Sequence, residues 1–344
     1  MKAWVLEEYN SPLILQDVDD PVCGDDDVIV KTVGAGVCRT DLKIYHGHLD
    51  WVTKLPHIQG HEISGVVAEV GKNVKTLKPG DRGIVYHYIA CRDCEFCRTG
   101  RENICEHIKR AGFELKGGFA EYVSVPAYNF CKTDIDYPLT HLSVLPDAVA
   151  TSYHSIKTLG QLKASDKLLI IGLGGLGLHG VQVGKMIGAE VGGIDLRPEA
   201  LKVAREQGAD FVLDANDDDL VEKILDWSGG LGADVVIDGV GIAGTFSTAL
   251  KYLKRGGRLV LMGYDPLNPI PLDALGMHYN EWSIIGSRLG TKQELMEIME
   301  HIGRGKLKPL VTEVLPVSDV NRIFTESLIE KNIGRIVLDC DNFS

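Results

Sequence analysis

The sequence predicts an α/β protein of two domains, with a β-rich first part and a doubly wound parallel sheet behind it. Three observations carry that expectation. GLGGLG at 172–177 joins an apolar run to a helical pattern. From about residue 150, short apolar runs alternate with helical patterns, the order that builds a parallel sheet covered on both faces. Before residue 150, Val- and Ile-rich runs follow one another between glycines, with few helix signals.

In order, the first part offers strands at 27–37, 62–71, 81–90 and 117–126, with the turn KPGDR at 78–82. The second part reads as a strand at 168–174, a helix at 178–189 and a strand at 190–195. A helix at 197–209, a strand at 211–214, a helix at 217–229 and a strand at 234–240 follow. Next come a helix at 245–257, a strand at 258–264 and a strand at 281–287. A helix at 291–305 and a strand at 334–339 close the pattern.

The chain has 344 residues, enough for two cores. Its net charge of −12 opposes phosphate backbones and anionic bilayers, so neither nucleic acid nor membrane is an expected partner. The longest apolar run, around 168–178, is broken by glycines and too short to span a bilayer. MKAWVLEEYN carries no apolar leader core, and the expected compartment is cytoplasmic.

Cys91, Cys94, Cys97 and Cys105 stand in the run C-x-x-C-x-x-C-x7-C. Four thiolates on one short loop suit a single closed tetrahedral Zn²⁺ site. The same spacing could hold an iron–sulfur cluster, or the thiols could pair as disulfides. A closed site leaves no position for substrate, so this lobe is expected to be structural.

GLGGLG matches G-x-G-x-x-G through Gly172, Gly174 and Gly177, with Gly175 and Leu176 inside the turn. The first glycine permits the turn, the second lets a pyrophosphate approach the backbone, and the third lets helix and strand pack. The helix N-terminus offers free N–H groups to the phosphates. Asp195 ends the next strand and suits the ribose hydroxyls of NAD, repelling a 2′-phosphate. Arg197, two residues on, could instead meet that phosphate, which leaves NADP open.

Cys38 in GVCRTD and His61–Glu62 in GHE are ambiguous singly. Together with the four-cysteine lobe, GGFAEY, GLGGLG and the closing GRIVLD, all in one order, they make the whole chain resemble the zinc-dependent medium-chain alcohol dehydrogenases. The resemblance implies a GroES-like β-barrel catalytic domain over 1–150, its zinc lobe near 91–105, and a Rossmann NAD-binding domain over 151–287. It also implies a segment 288–344 that returns to the catalytic domain.

The resemblance makes Cys38, His61 and Asp147 ligands of a catalytic zinc, the second of two per chain. Asp147 would otherwise read as a helix N-cap. Glu62 matches a carboxylate that can swing onto the metal, and Asp41 one that fixes the ligand histidine. Thr40 matches the hydroxyl that takes the substrate proton. Lys43 stands where many members continue the relay with histidine, so the onward path is left to the ribose hydroxyls or to His46 or His48. Arg39, Thr151, Val240, Ser287 and Arg335 match cofactor contacts, Arg39 and Arg335 on phosphates. Leu49, Trp51, Tyr86, His87 and Leu115 are expected pocket walls, and the polar His87 points either to a polar or hydroxylated substrate or to a partner behind the metal ligands.

The implied reaction is reversible oxidation of a primary or secondary alcohol to an aldehyde or ketone. A polyol, sugar or amino alcohol is the alternative within the class, and a silent NAD(H)-binding protein with only structural zinc is the alternative outside it. The implied assembly is a homotetramer, or a dimer.

Overall fold

The computed structural model describes residues 1–343, which divide into two compact units. One comprises Met1–Asp147 and the chain from Thr291 onward; the other is Ala148–Gly290.

The first unit is built on one largely antiparallel sheet. Its strands run in the order Val311–Pro316, Arg335–Asp339, Asp27–Val37, Glu62–Val70, Arg82–Val85 and Phe130–Lys132. Tyr122–Pro126 pairs with Asp27–Val37 as well. The eleven-residue strand Asp27–Val37 is the spine, because its β-branched residues pack on both faces. Val28 and Val30 bury with Ile63, Val67, Val85 and Val123, while Ala35 and Val37 bury with Ile44, Phe119, Ile336 and Leu338.

The second unit is a six-stranded, all-parallel sheet. The order is Phe211–Asp214, Glu190–Asp195, Lys167–Ile171, Ala233–Asp238, Leu253–Leu261 and Ser283–Gly286. The chain reverses direction across the sheet between Lys167–Ile171 and Ala233–Asp238, so the crevice lies at the carboxyl ends of those two strands. Helices Gly175–Ile187, Pro198–Glu206, Leu220–Trp227 and Ala243–Tyr252 make the crossovers. The helix expected to run to residue 257 stops at Tyr252, and the chain is extended from Leu253 through KRGG.

The strands Lys2–Val5, Ile14–Asp17 and Val311–Pro316 and the helices Arg39–Tyr45 and Ala274–Asn280 had no clear sequence signal. They are too short for a period to emerge. Helix Lys292–Gly303 was expected, and TKQE explains its start. Thr291 Oγ1 accepts the Glu294 N–H at 3.2 Å, and the Glu294 carboxylate accepts the Thr291 N–H at 2.7 Å.

Candidate active site and metal centres

Strand register assembles the first cluster. Gly36 pairs with Glu62, and Val37 pairs with Ile336. Continuing each ladder by a residue sets His61 opposite Val37 and Arg335 opposite Cys38, which gathers the three at the strand ends. A Cβ on Gly36 would lie 2.0 Å from Glu62 Oε2, so a glycine is required for the carboxylate to sit there. Asp147 comes from the wide helical turn Leu145–Val149. One ligand atom each from Cys38, His61, Glu62 and Asp147 lies within 4.8 Å of all the others, and all four residues are buried.

His61 Nε2 is 3.6 Å from Asp147 Oδ2, and His61 Nδ1 is 3.5 Å from Asp41 Oδ1. Asp41 Oδ2 accepts the Cys38 N–H at 2.8 Å, and the Asp41 carbonyl accepts from Gln59 Nε2 at 2.8 Å. Asp41 therefore braces both Cys38 and His61 from behind. Thr40 Oγ1 is 3.6 Å from Cys38 Sγ. Lys43 is half-buried on the same helix, while His46 and His48 are exposed, His46 being held by Asn10 at 2.7 Å.

Arg335 is buried, with Nη2 at 2.9 Å from Asp147 Oδ2, 3.0 Å from Glu62 Oε1 and 3.6 Å from Cys38 Sγ. Its guanidinium is thereby tied to the acidic cluster. Sequence spacing held no signal for this, because it depends on a strand 297 residues from Cys38. Arg39 is exposed at the start of helix Arg39–Tyr45.

The charges set the protonation states. Burial alone would lower the pKa of His61, but Asp41 and Asp147 carry it well above the usual imidazole range. Burial opposes ionisation of Asp147 too, and His61 and Arg335 overcome it, holding the carboxyl well below its usual range. Burial raises Glu62 well above the ordinary carboxylate range against the pull of Arg335. Both Glu62 oxygens and His61 Nδ1 lack a well-directed hydrogen bond, although Arg335 lies close to Glu62. Buried thiol, imidazole and two carboxylates are the donor set of a divalent transition metal. The His61–Asp147 spacing also suits ligand bonds of about 2.0–2.2 Å in a tetrahedron.

The four-cysteine lobe fits its metal more closely. Sulfur separations are 3.5 Å for Cys94–Cys97 and Cys105–Cys91, 3.8 Å for Cys94–Cys105 and 3.9 Å for Cys91–Cys97. A tetrahedron with Zn–S bonds of about 2.3 Å has edges of about 3.8 Å. All four cysteines are free thiols. Backbone N–H groups, chiefly that of Cys97, draw the Cys94 thiol down to about 6, while burial pushes Cys97 up to about 12.

In the parallel-sheet unit, Gly172 has φ 89°, and a Cβ on Gly177 would lie 2.0 Å from the Gly172 carbonyl oxygen. A Cβ on Gly174 would meet only Arg197, at 4.0 Å, so that glycine faces open space. Gly175 opens the helix, and the Leu176 carbonyl accepts from Ser152 Oγ at 2.7 Å. Asp195 Oδ2 accepts the Leu173 N–H at 2.7 Å, and its Oδ1 accepts from Arg197 N–H and Nε at 2.9 and 3.0 Å. Burial resists its charge, yet Arg197 and these backbone donors hold its pKa below the ordinary value.

Thr151 is buried, and its carbonyl accepts from Ser155 Oγ, which also meets Ser287 Oγ at 2.8 Å. Val240 is exposed beside Gly172. Sequence reasoning missed Asp238. Its Oδ1 accepts from the Val240 and Gly241 N–H groups at 2.9 Å and its Oδ2 from Thr245 at 2.8 Å, which fixes the turn at the strand end. The D-G-V-G run was the available signal.

Among the expected pocket walls, Leu49 and His87 are buried and Leu115 is half-buried. Trp51 is 71% exposed. Tyr86 is buried, its ring 6.1 Å from that of Tyr88, and burial, then Glu102, raises its hydroxyl pKa. The His87 ring lies 5.3 Å from that of His61.

Residues 24–135 match the family model "Alcohol dehydrogenase GroES-like domain", and residues 175–304 match "Zinc-binding dehydrogenase". An alcohol dehydrogenase of Geobacillus stearothermophilus is 38% identical over 99% of this chain and 100% of its own length. An NAD-dependent alcohol dehydrogenase of Sulfolobus acidocaldarius is 35% identical over 98% of this chain and 99% of its own. The crystal structure of an alcohol dehydrogenase from Aeropyrum pernix superposes with a TM-score of 0.91 at 33% identity, covering 98% and 100% of the two chains. With its two ligand clusters fitting two zinc ions and its glycine turn a nucleotide, the chain belongs to the zinc-dependent medium-chain alcohol dehydrogenases.

Proposed function

We propose that the protein oxidises a primary or secondary alcohol to an aldehyde or ketone, reversibly, with NAD as hydride acceptor. The observation that carries this is the buried Cys38–His61–Asp147 cluster, in a chain that also has the phosphate turn and Asp195. When bound, zinc supplies the Lewis acid for the alcohol oxygen and NAD the hydride acceptor.

The chain's own residues do the rest. Cys38, His61 and Asp147 hold the metal, and Glu62 stands ready as an exchangeable ligand. Asp41 fixes the tautomer and angle of His61. Thr40 takes the alcohol proton at its hydroxyl, beside Cys38. Arg335 balances the carboxylates of Glu62 and Asp147. Gly172–Gly177 and the helix N-terminus take the pyrophosphate, with Arg39 a further phosphate contact. Asp195 takes the ribose, with Arg197 beside it, and Thr151, Val240 and Ser287 border the nicotinamide.

A panel of alcohols, followed by absorbance of the reduced nicotinamide, tests the reading. A silent NAD(H)-binding protein would reduce no cofactor with any of them.

Asp195 should set cofactor choice. Its carboxylate and a 2′-phosphate are like charges a few ångströms apart, worth roughly 1–3 kcal/mol at an effective dielectric near 20. NAD should therefore be preferred about tenfold to hundredfold. In Asp195→Gly the Arg197 guanidinium loses the anchor it now has at 3.0 Å and can turn to the phosphate. The ratio of kcat/KM should shift toward NADP, mostly through KM. A wild-type preference for NADP, or an unchanged ratio in the variant, would remove Asp195 from the ribose.

The proposed assembly is a homotetramer. Strand Ser283–Gly286 ends its sheet with one side unpaired among the described residues. The preceding helix Ala274–Asn280 exposes Leu275 and Tyr279. Sedimentation should show a species above the monomer, and a monomer would exclude it. The proposed compartment is cytoplasmic; no helix of the described residues is long and apolar enough to cross a membrane.

A further inference from the structure

We infer that His87 binds a second oxygen of the substrate, so that the preferred alcohol carries a hydroxyl next to the reacting carbon. The inference rests on the alcohol dehydrogenase reading and names its substrate class.

His87 is 1% exposed, and its Nδ1 has no hydrogen-bond partner. The ring faces the metal-ligand cluster, 5.3 Å from the His61 ring at 59°. The rings of Tyr88, at 4.9 Å, and Phe113, near-parallel at 6.4 Å, also pack beside it. A leucine or phenylalanine would fill the same space with no polar atom to satisfy, so packing alone does not account for an imidazole.

Its polar neighbours are occupied elsewhere. Asp41 serves Cys38 and His61, Asp147 serves His61 and Arg335, and Arg110 is bound to Glu114 at 2.7 Å. The group that comes to this cluster in turnover is the substrate. A neutral imidazole offers one donor and one acceptor. It can therefore meet a hydroxyl in the alcohol and a hydroxyl or carbonyl in the product. Asp41, Glu62 and Asp147 nearby disfavour a carboxylate in that place.

The test uses the zinc-loaded, full-length enzyme and two matched pairs, n-propanol against propylene glycol and sec-butanol against its vicinal diol. Wild type should favour each diol in kcat/KM by about tenfold or more. His87→Phe should abolish that preference through KM, the diols losing about tenfold more than the monohydric alcohols. His87→Gln, which keeps a donor and an acceptor, should restore part of it. Calorimetric binding of propylene glycol and n-propanol to the complex with reduced cofactor should show the same difference without turnover.

The inference is overturned if wild type shows no diol preference, or if His87→Phe lowers both members of each pair alike. A His87→Phe enzyme that melts several degrees below wild type and loses both alcohols would assign His87 to structure, which also overturns it. Inactivity of wild type toward every alcohol would instead remove the dehydrogenase reading, and the binding arm would still decide whether His87 senses the second oxygen.

Discussion

Cys38→Ala or His61→Ala should lower the zinc content from about two ions per chain to about one and cut kcat/KM by roughly a thousandfold or more. The loss follows from what the cluster offers. Without the metal, only Thr40 and the oriented cofactor remain to stabilise charge on the alcohol oxygen. The fold should survive, because Arg335 still compensates two of the buried carboxylates. Arg335 keeps its ion pairs with Glu62 and Asp147 at 3.0 and 2.9 Å, so neither carboxylate is left alone. NAD binding should also persist, since the glycine turn and Asp195 belong to the other compact unit. Metal analysis, circular dichroism and cofactor titration check the three parts. Near-wild-type turnover in either variant would reject the assignment.

Cys97→Ser should act on stability rather than on chemistry. Cys97 Sγ stands 3.5 Å from Cys94 and 3.9 Å from Cys91, so its loss opens the tetrahedron and leaves unbalanced thiols. Zinc in such closed sites contributes folding free energy directly. The effect should spread along two contacts. Glu102, just before the last ligand, accepts the Lys292 N–H at 2.7 Å and so ties the lobe to the start of helix Lys292–Gly303. Arg92, in the lobe, and Lys292 both lie over the Tyr128 ring, at 4.4 and 3.7 Å. The melting temperature should fall by several degrees, each kcal/mol being worth roughly 2–4 °C in a domain of 150–250 residues. Zinc should drop to about one per chain, the catalytic ion remaining. An unchanged melting temperature with two zinc ions would refute the structural role.

These two outcomes draw on different amounts of sequence information. The cysteine lobe was legible from spacing alone, because all four ligands lie within one loop and chain length limits them to one ion. The Rossmann unit was legible from alternation, and GLGGLG with Asp195 from local turn chemistry. The catalytic cluster was legible only in part. Cys38, His61 and Asp147 are far apart in sequence; the register Gly36–Glu62 and Val37–Ile336 brings Cys38, His61 and Arg335 together, and the helical turn Leu145–Val149 supplies Asp147. Register is a tertiary property, so no local pattern announced the place of Arg335 in the acidic cluster. The end of the helix at Tyr252 was missed for a related reason. The run TFSTALKYLKRGG has helical spacing throughout, but pairing with Ala233–Asp238 draws its last residues into the sheet. Short elements such as Lys2–Val5 owe their form to partners, here Ile14–Asp17.

The measurement that bears most directly on the account is alcohol-dependent formation of reduced nicotinamide by the zinc-loaded protein, followed while a chelator strips the metal and Zn²⁺ is then returned. The account predicts reduction of NAD by a primary or secondary alcohol, a rate that falls with the zinc of the Cys38–His61–Asp147 cluster, and recovery when zinc is restored. Reduction that continues unchanged after that zinc is gone, or no reduction from any such alcohol with both ions in place, would contradict it.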